Sequence, residues 1–138
     1  MKKVTVPRAV RLNNPGNIEL GGDRWMGMSK DQPDPRFVKF DTPEYGIRAM
    51  CRIFMSYRKR GICTVQQIID TWAPAHENPT EKYTQNVCTW TGLDQDEDVT
   101  QDKYPVLIPG IIRQEVGYNP YSESTILAGC ELASPRKN

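Results

Sequence analysis

Between Thr42 and Gly61 the apolar residues Tyr45, Ala49, Met50, Ile53, Phe54 and Tyr57 recur every three or four positions. That is the period at which side chains share one face of an α-helix. Thr42 is placed to cap this helix, Pro43 sits at its first position, and Gly61 ends it. A second helix starts at Thr64, with Gln67 positioned for a capping box. It turns Val65, Ile68, Ile69 and Trp72 inward and stops at Pro74. A third takes Asn78 as cap and Pro79 and Glu81 in its first turn, carries Tyr83, Val87, Cys88 and Trp90, and closes at Gly92. The fourth covers about 105–116 and is largely apolar. Pro109 falls inside it and is expected to kink it or delay its start, and Gly110 leaves room for a close neighbour. Ser122 caps a last helix that turns Ile126, Leu127 and Cys130 inward.

The N-terminal third lacks this period. Residues 1–10 form a loose arm, Asn13-Asn14-Pro15-Gly16-Asn17 is a dense turn signal, and Gly21-Gly22-Asp23 is another turn. Ile18-Glu19-Leu20 and the alternating Phe37-Val38-Lys39-Phe40 are predicted as short strands on either side of a Pro-rich loop at 31–35. The acidic stretch 94–102 lacks the ligand ladder and central glycine of a calcium loop and is expected to be a solvated connection. The sum is one domain over residues 1–138, a mostly helical α+β fold with a small β-hairpin on one side.

Composition narrows the function classes. The apolar fraction is 38% and no apolar run reaches the length of a membrane span, so a soluble protein without membrane insertion is expected. The start, Met1-Lys2-Lys3-Val4-Thr5-Val6, has no hydrophobic stretch behind its lysines. It is not a secretory signal, and synthesis in the cytoplasm is expected. With 18 basic and 17 acidic side chains the charge gives no nucleic-acid footprint. The cluster Arg58-Lys59-Arg60 falls at a helix C-terminus, where it complements the dipole. Cys51, Cys63, Cys88 and Cys130 make no CxxC pair and the chain has a single histidine, His76, so no metal site and no cofactor is expected. Cys51 and Cys88 lie on apolar faces as small hydrophobes; an even cysteine count leaves disulfides open after export.

The candidate chemistry lies near the C-terminus. In Ile111-Ile112-Arg113-Gln114-Glu115-Val116-Gly117-Tyr118-Asn119-Pro120-Tyr121-Ser122 an apolar helix ends on a glutamate. A carboxyl group there is poorly solvated, which raises its pKa and suits it to general-acid work. This segment resembles the catalytic-glutamate motif of lytic transglycosylases and goose-type lysozymes, with Val116-Gly117 in place of the usual Ser-x step. Asn13-Asn14-Pro15-Gly16-Asn17-Ile18 resembles the Asn-Asn-x-x-Gly-Ile stretch of flagellar-rod-type glucosaminidases, and Phe37 to Gly46 their Phe-x-x-Tyr-Asp-Ser segment. Glu77 to Val87 resembles the Glu-Thr-x-x-Tyr-Val motif that sets a tyrosine hydroxyl beside the catalytic carboxyl. In those families the glutamate helix comes first, whereas here it comes last, so the resemblance implies a circularly permuted lysozyme-like domain. The whole pattern is also similar to small phage-encoded endolysins and virion proteins.

What the resemblance implies is cleavage of peptidoglycan between MurNAc and GlcNAc by one catalytic glutamate, Glu115. Asn13, Asn14, Trp25, Glu44, Tyr83 and Tyr118 are the candidate substrate-binding residues. Tyr83 would orient the Glu115 carboxyl and Trp25, in a glycine-rich loop, would stack on a sugar, while Trp72 and Trp90 fall on apolar stripes as core. The expected protein is a monomer that reaches the wall through a holin or as part of a virion, in host lysis or wall penetration. Alternatives stay open. Glu44 or Asp41 as a second carboxylate would make the enzyme a hydrolytic muramidase; Glu77 is a further cleft candidate. The fold could also serve a non-catalytic virion or wall-binding protein, or a secreted antibacterial toxin. The phage muramidase spacing, Glu followed after eight residues by Asp or Cys and after five more by Thr, is met by no glutamate in the chain.

Overall fold

A computed structural model describes residues 6–74 and 79–135. Its helices are α1 (Arg8–Arg11), α2 (Pro43–Lys59), α3 (Val65–Trp72), α4 (Thr80–Thr91), α5 (Tyr104–Val116) and α6 (Glu123–Ala133), with a 3₁₀ turn at Gln101–Lys103 leading into α5. The molecule is mostly helical. The predicted hairpin is present in reduced form. Leu20 N–H donates to Arg36 O at 2.8 Å and Val38 N–H to Ile18 O at 3.0 Å, and antiparallel bridges pair Glu19 with Phe37 and Met28 with Phe40. These bridges do not extend into a ladder.

α5 explains the layering. Tyr104, Leu107, Ile108, Ile111 and Ile112 are all at most 1% exposed, so the faces of this helix that carry them must be covered by other helices, while Val106 and Arg113 mark its solvent side. α4 packs on one side of it and α6 packs along α2 on another, with Phe54 of α2 edge-on to Tyr104 at 5.8 Å. Truncating any one of these aliphatic side chains to alanine would cost roughly 2–5 kcal/mol. Pro109 sits within α5 without ending it or delaying its start. Gly110 is where α4 comes close, since a Cβ there would stand 2.6 Å from Thr91 Cγ2.

Several expectations need correction. The end of the expected loose arm, residues 8–10, belongs to α1, where Ala9 and the following Leu12 are buried. Thr42 holds the N-cap position of α2 without a side-chain cap bond. Pro79 is the residue before α4, and the proposed cap Asn78 lies outside the described residues, as do His76 and Glu77. Leu127 is 47% exposed, and Trp90, 36% exposed, lies under the Arg113 guanidinium at 4.2 Å instead of in the core.

The acidic stretch is docked as well as solvated. Glu97 O accepts from Val65 N–H and Gln95 O from Gln66 N–H, and Thr64 Oγ1 accepts from Gln67 N–H at 3.1 Å. The first-turn amides of α3, which no helical carbonyl can reach, thereby find acceptors. Arg58 pairs with Asp98 at 2.7 Å across the same seam. Among the described residues no helix is long and apolar enough to cross a membrane, and no group of three or more His, Cys, Asp or Glu side chains is placed to hold a metal.

Candidate active site

Glu115 occupies the last turn of α5, which Gly117 ends in the left-handed conformation at φ 100°. The helix is largely apolar from Tyr104 to Ile112 and turns polar at Arg113 and Gln114, so the carboxyl emerges half-buried at the edge of the core. Tyr83, in the first turn of α4 and 2% exposed, donates its hydroxyl to Glu115 Oε2 at 3.0 Å. Beside it Asn86 Nδ2 donates to Gln114 Oε1 at 3.0 Å, which fixes the rotation of α5 against α4 next to the carboxyl. From the opposite end of the chain Asn17 Nδ2 donates to Glu115 Oε1 at 3.3 Å.

The turn that delivers Asn17 is built by its neighbours. Asn13 and Asn17 both hold left-handed backbone, at φ 54° and 53°, a conformation asparagine tolerates better than most side chains. Asn14 is fully buried and saturated: its amide donates to Ile18 O and Val38 O at 2.9 Å each, and its oxygen accepts from Ile18 N–H at 2.9 Å. Asn13 donates to Phe40 O at 3.0 Å. Both residues therefore tie the turn to the paired segments and leave Asn17 to face the carboxyl.

Burial raises the Glu115 pKa above the ordinary glutamate range, and the hydrogen bonds from Tyr83 and Asn17 partly oppose it by favouring the charged form. Burial first, and the nearby carboxylate second, push the Tyr83 phenol up in turn. Tyr83 is thus a hydroxyl donor at neutral pH.

Glu115 lies in a cleft of about 760 Å³. The Asn17 turn, Ile18 and Glu19 form one wall, Ile53 and Tyr57 of α2 another, and Trp72 of α3 a third. Trp72 stands edge-on to Phe54 at 5.2 Å. Gly16 lets the turn sit against it, since a Cβ there would come within 3.0 Å of the indole. At the rim Arg36 pairs with Glu19 at 2.9 Å, and Arg8 and Arg36 each lie 4.8 Å from the centre of the Phe37 ring. A depression of about 850 Å³ between α3 and the start of α4 is somewhat larger, but its lining includes neither an aromatic side chain nor Glu115. The smaller cleft is the one that holds the Glu115 carboxyl and an aromatic wall.

The structure brings together Glu115 and Tyr83 and places the other sequence candidates elsewhere. Asn13 and Asn14 are occupied within their turn. Trp25 packs part-buried against the core and is not among the residues lining the cleft. Glu44 lies in the first turn of α2 and Tyr118, 48% exposed, just past the end of α5; neither lines the cleft. Glu44 instead stands near Tyr121, whose hydroxyl is pushed up to about 12, chiefly by burial. Asp41 accepts from Ser29 Oγ at 2.8 Å.

Asn17, Trp72 and Glu19 line the cleft and were not among the expected substrate-binding residues. Asn17 stood in the quoted turn motif, and its separation from the two paired asparagines was the available signal. Trp72 was assigned to the core from its helical spacing, and it does pack there, but its other side lines the cleft. Glu19 had no signal beyond the outward phase of its strand.

Protein P5 of Pseudoalteromonas phage PM2 is 40% identical to the chain over 128 residues, which cover 90% of this chain and 80% of that protein. No protein-family model matches the chain.

Proposed function

From the premise that the chain belongs to the family of Protein P5 of phage PM2, we propose that it cleaves the glycan strands of peptidoglycan between MurNAc and GlcNAc, with Glu115 as the catalytic acid and base, in the service of a phage crossing or lysing the bacterial wall. The single observation that carries this reading is the half-buried Glu115 carboxyl, held by Tyr83 and Asn17 in an open cleft with an aromatic wall.

In the proposed reaction the protonated Glu115 gives its proton to the bridging glycosidic oxygen. Positive charge develops at the anomeric carbon, where the substrate's own N-acetyl group can stabilise it. The Glu115 carboxylate then accepts the proton of the C6 hydroxyl, and that oxygen closes on the anomeric carbon to give a 1,6-anhydro end without consuming water. Tyr83 and Asn17 hold the carboxylate between these steps, and Trp72 offers a face to a sugar ring. The domain is proposed to be a circularly permuted lysozyme-like fold. Protein made in the host cytoplasm would meet its substrate after release through a holin or within a virion.

A hydrolytic version is the second reading, favoured by Glu19, which lines the same cleft. A second carboxylate could activate water there.

The test is Glu115→Gln against purified peptidoglycan. The wild-type protein should clear a sacculus suspension, and the variant, still folded, should lose at least about a hundredfold in rate, the scale of a missing general acid. Clearance by the variant at the wild-type rate would overturn the assignment. So would a wild-type protein that binds sacculi and releases no fragments.

A further inference from the structure

Where α6 packs along α2, the Cys51 and Cys130 sulfurs face each other at 3.4 Å. Both thiols are free, and Cys51 is 1% and Cys130 9% exposed. They stand 79 positions apart in the chain. The helices approach closely at this point because Gly129 has no side chain. A Cβ on it would lie 2.6 Å from Ile47 Cβ and 2.9 Å from Glu44 O. The far end of α6 is held in the same register, since Arg52 Nη1 donates to Ala133 O at 3.2 Å and Arg48 Nε to Leu132 O at 3.4 Å. A disulfide needs Cα atoms within about 7 Å and Cβ atoms about 4 Å apart, and two close-packed helices with facing thiols come near to supplying both.

We propose that Cys51 and Cys130 form a disulfide that staples α6 to α2 once the protein leaves a reducing compartment for an oxidising one. The inference stands apart from the proposed glycan chemistry. The oxidant is a small-molecule or protein disulfide. The Cys130 thiolate, at the more exposed of the two positions, attacks one oxidant sulfur, whose S–S bond breaks and releases a thiolate. The Cys51 thiolate then attacks the Cys130 sulfur of the mixed disulfide and expels the second oxidant thiolate. Two electrons pass to the oxidant, and the two thiol protons end on its two sulfurs. The order of attack follows the environment. Cys51, at 1% exposed, is shielded from a soluble oxidant, so the first contact falls to Cys130, at 9%.

The other cysteines make the test clean. Cys63 is half-buried with its thiol 3.9 Å from Arg58 O, and Cys88 is half-buried on α4. The reduced Cys63→Ser/Cys88→Ser protein is incubated with oxidised glutathione and weighed by mass spectrometry. The expected product is lighter by two hydrogens, carries no glutathione, and yields a linked Cys51–Cys130 peptide. Its Tm should rise by roughly 10 °C, as expected for closing a long loop in the unfolded chain, and fall back on reduction. Wild-type protein should give the same single cross-link. An unchanged mass, two stable glutathione adducts, a cross-link through Cys63 or Cys88, or a Tm that drops on oxidation would each overturn the proposal.

Discussion

Glu115 is a residue whose burial works against the fold it belongs to. Its pKa is raised by desolvation, so the folded protein holds that proton to higher pH than the unfolded chain does. Stability is therefore fullest below the ordinary carboxyl pKa and declines as pH rises through the raised one. Glu115→Gln removes the charge and leaves an amide whose oxygen can still accept from Asn17 or Tyr83. The variant should match the wild type near pH 4 and gain on it as the pH climbs to 8, when Tm is followed by calorimetry. Parallel Tm profiles across that range would show that no buried ionisation is coupled to folding. Tyr83 can be tested through the same carboxyl. Its hydroxyl favours the charged form, so Tyr83→Phe should push the Glu115 pKa higher still. For an acid-dependent reaction the alkaline limb of the kcat–pH profile should then move to higher pH. A rate loss of about 10- to 100-fold is expected from a carboxyl that has lost a positioning bond. A uniform loss without movement of that limb would leave Tyr83 as packing alone.

The elements differ in how far the sequence discloses them. α2, α3, α5 and α6 were legible because their apolar residues recur at helical spacing and their ends carry local chemistry. The capping box at Thr64 is present as written, with Gln67 Oε1 accepting from Thr64 N–H at 3.1 Å. What stayed hidden depended on partners distant in sequence. Nothing local to residues 94–102 discloses that their carbonyls dock on the start of α3, or that Arg58 meets Asp98. Trp90 has a core residue's spacing, yet Arg113 and solvent share its faces. The short N-terminal helix turned on two buried side chains, Ala9 and Leu12, too few to make a period. The cap offers the test at this scale. Thr64→Ala removes the acceptor for Gln67 N–H at the end of α3 opposite Trp72. It should cost about 1 kcal/mol, seen as a Tm lower by roughly 3–5 °C, with activity at 25 °C unchanged. A loss of activity without a change in Tm would mean that α3 reaches the chemistry in some other way.

The cleft belongs to the molecule as a whole: Asn17 precedes the paired segments, Trp72 ends α3 and Glu115 closes α5, with Tyr83 of α4 buried behind the carboxyl it holds. Of the carboxylates, the sequence picked out Glu115 through an apolar helix that ends on it. It left Glu44 and Asp41 as rival carboxylates, although a place in the first turn of a helix already gives Glu44 a structural reason to be there, and the folded chain leaves both outside the cleft. Among the described residues the carboxylate that does share the cleft, Glu19, is already engaged by Arg36 at 2.9 Å and is largely exposed. A water-activating base has to be free to accept a proton, so under the proposed reading Glu19 is a poor base and the reaction should run on Glu115 alone. Glu19→Gln should then keep activity within about threefold, far less than the loss expected from removing a general base. The muropeptides released by wild type and variant alike should carry anhydro ends, each lighter by one water than the hydrolytic product in a mass spectrum. Should Glu19→Gln silence the enzyme and the wild-type products carry the full mass of hydrolysed ends, the two-carboxylate mechanism takes the place of the one-carboxyl route while Glu115 keeps its role as acid.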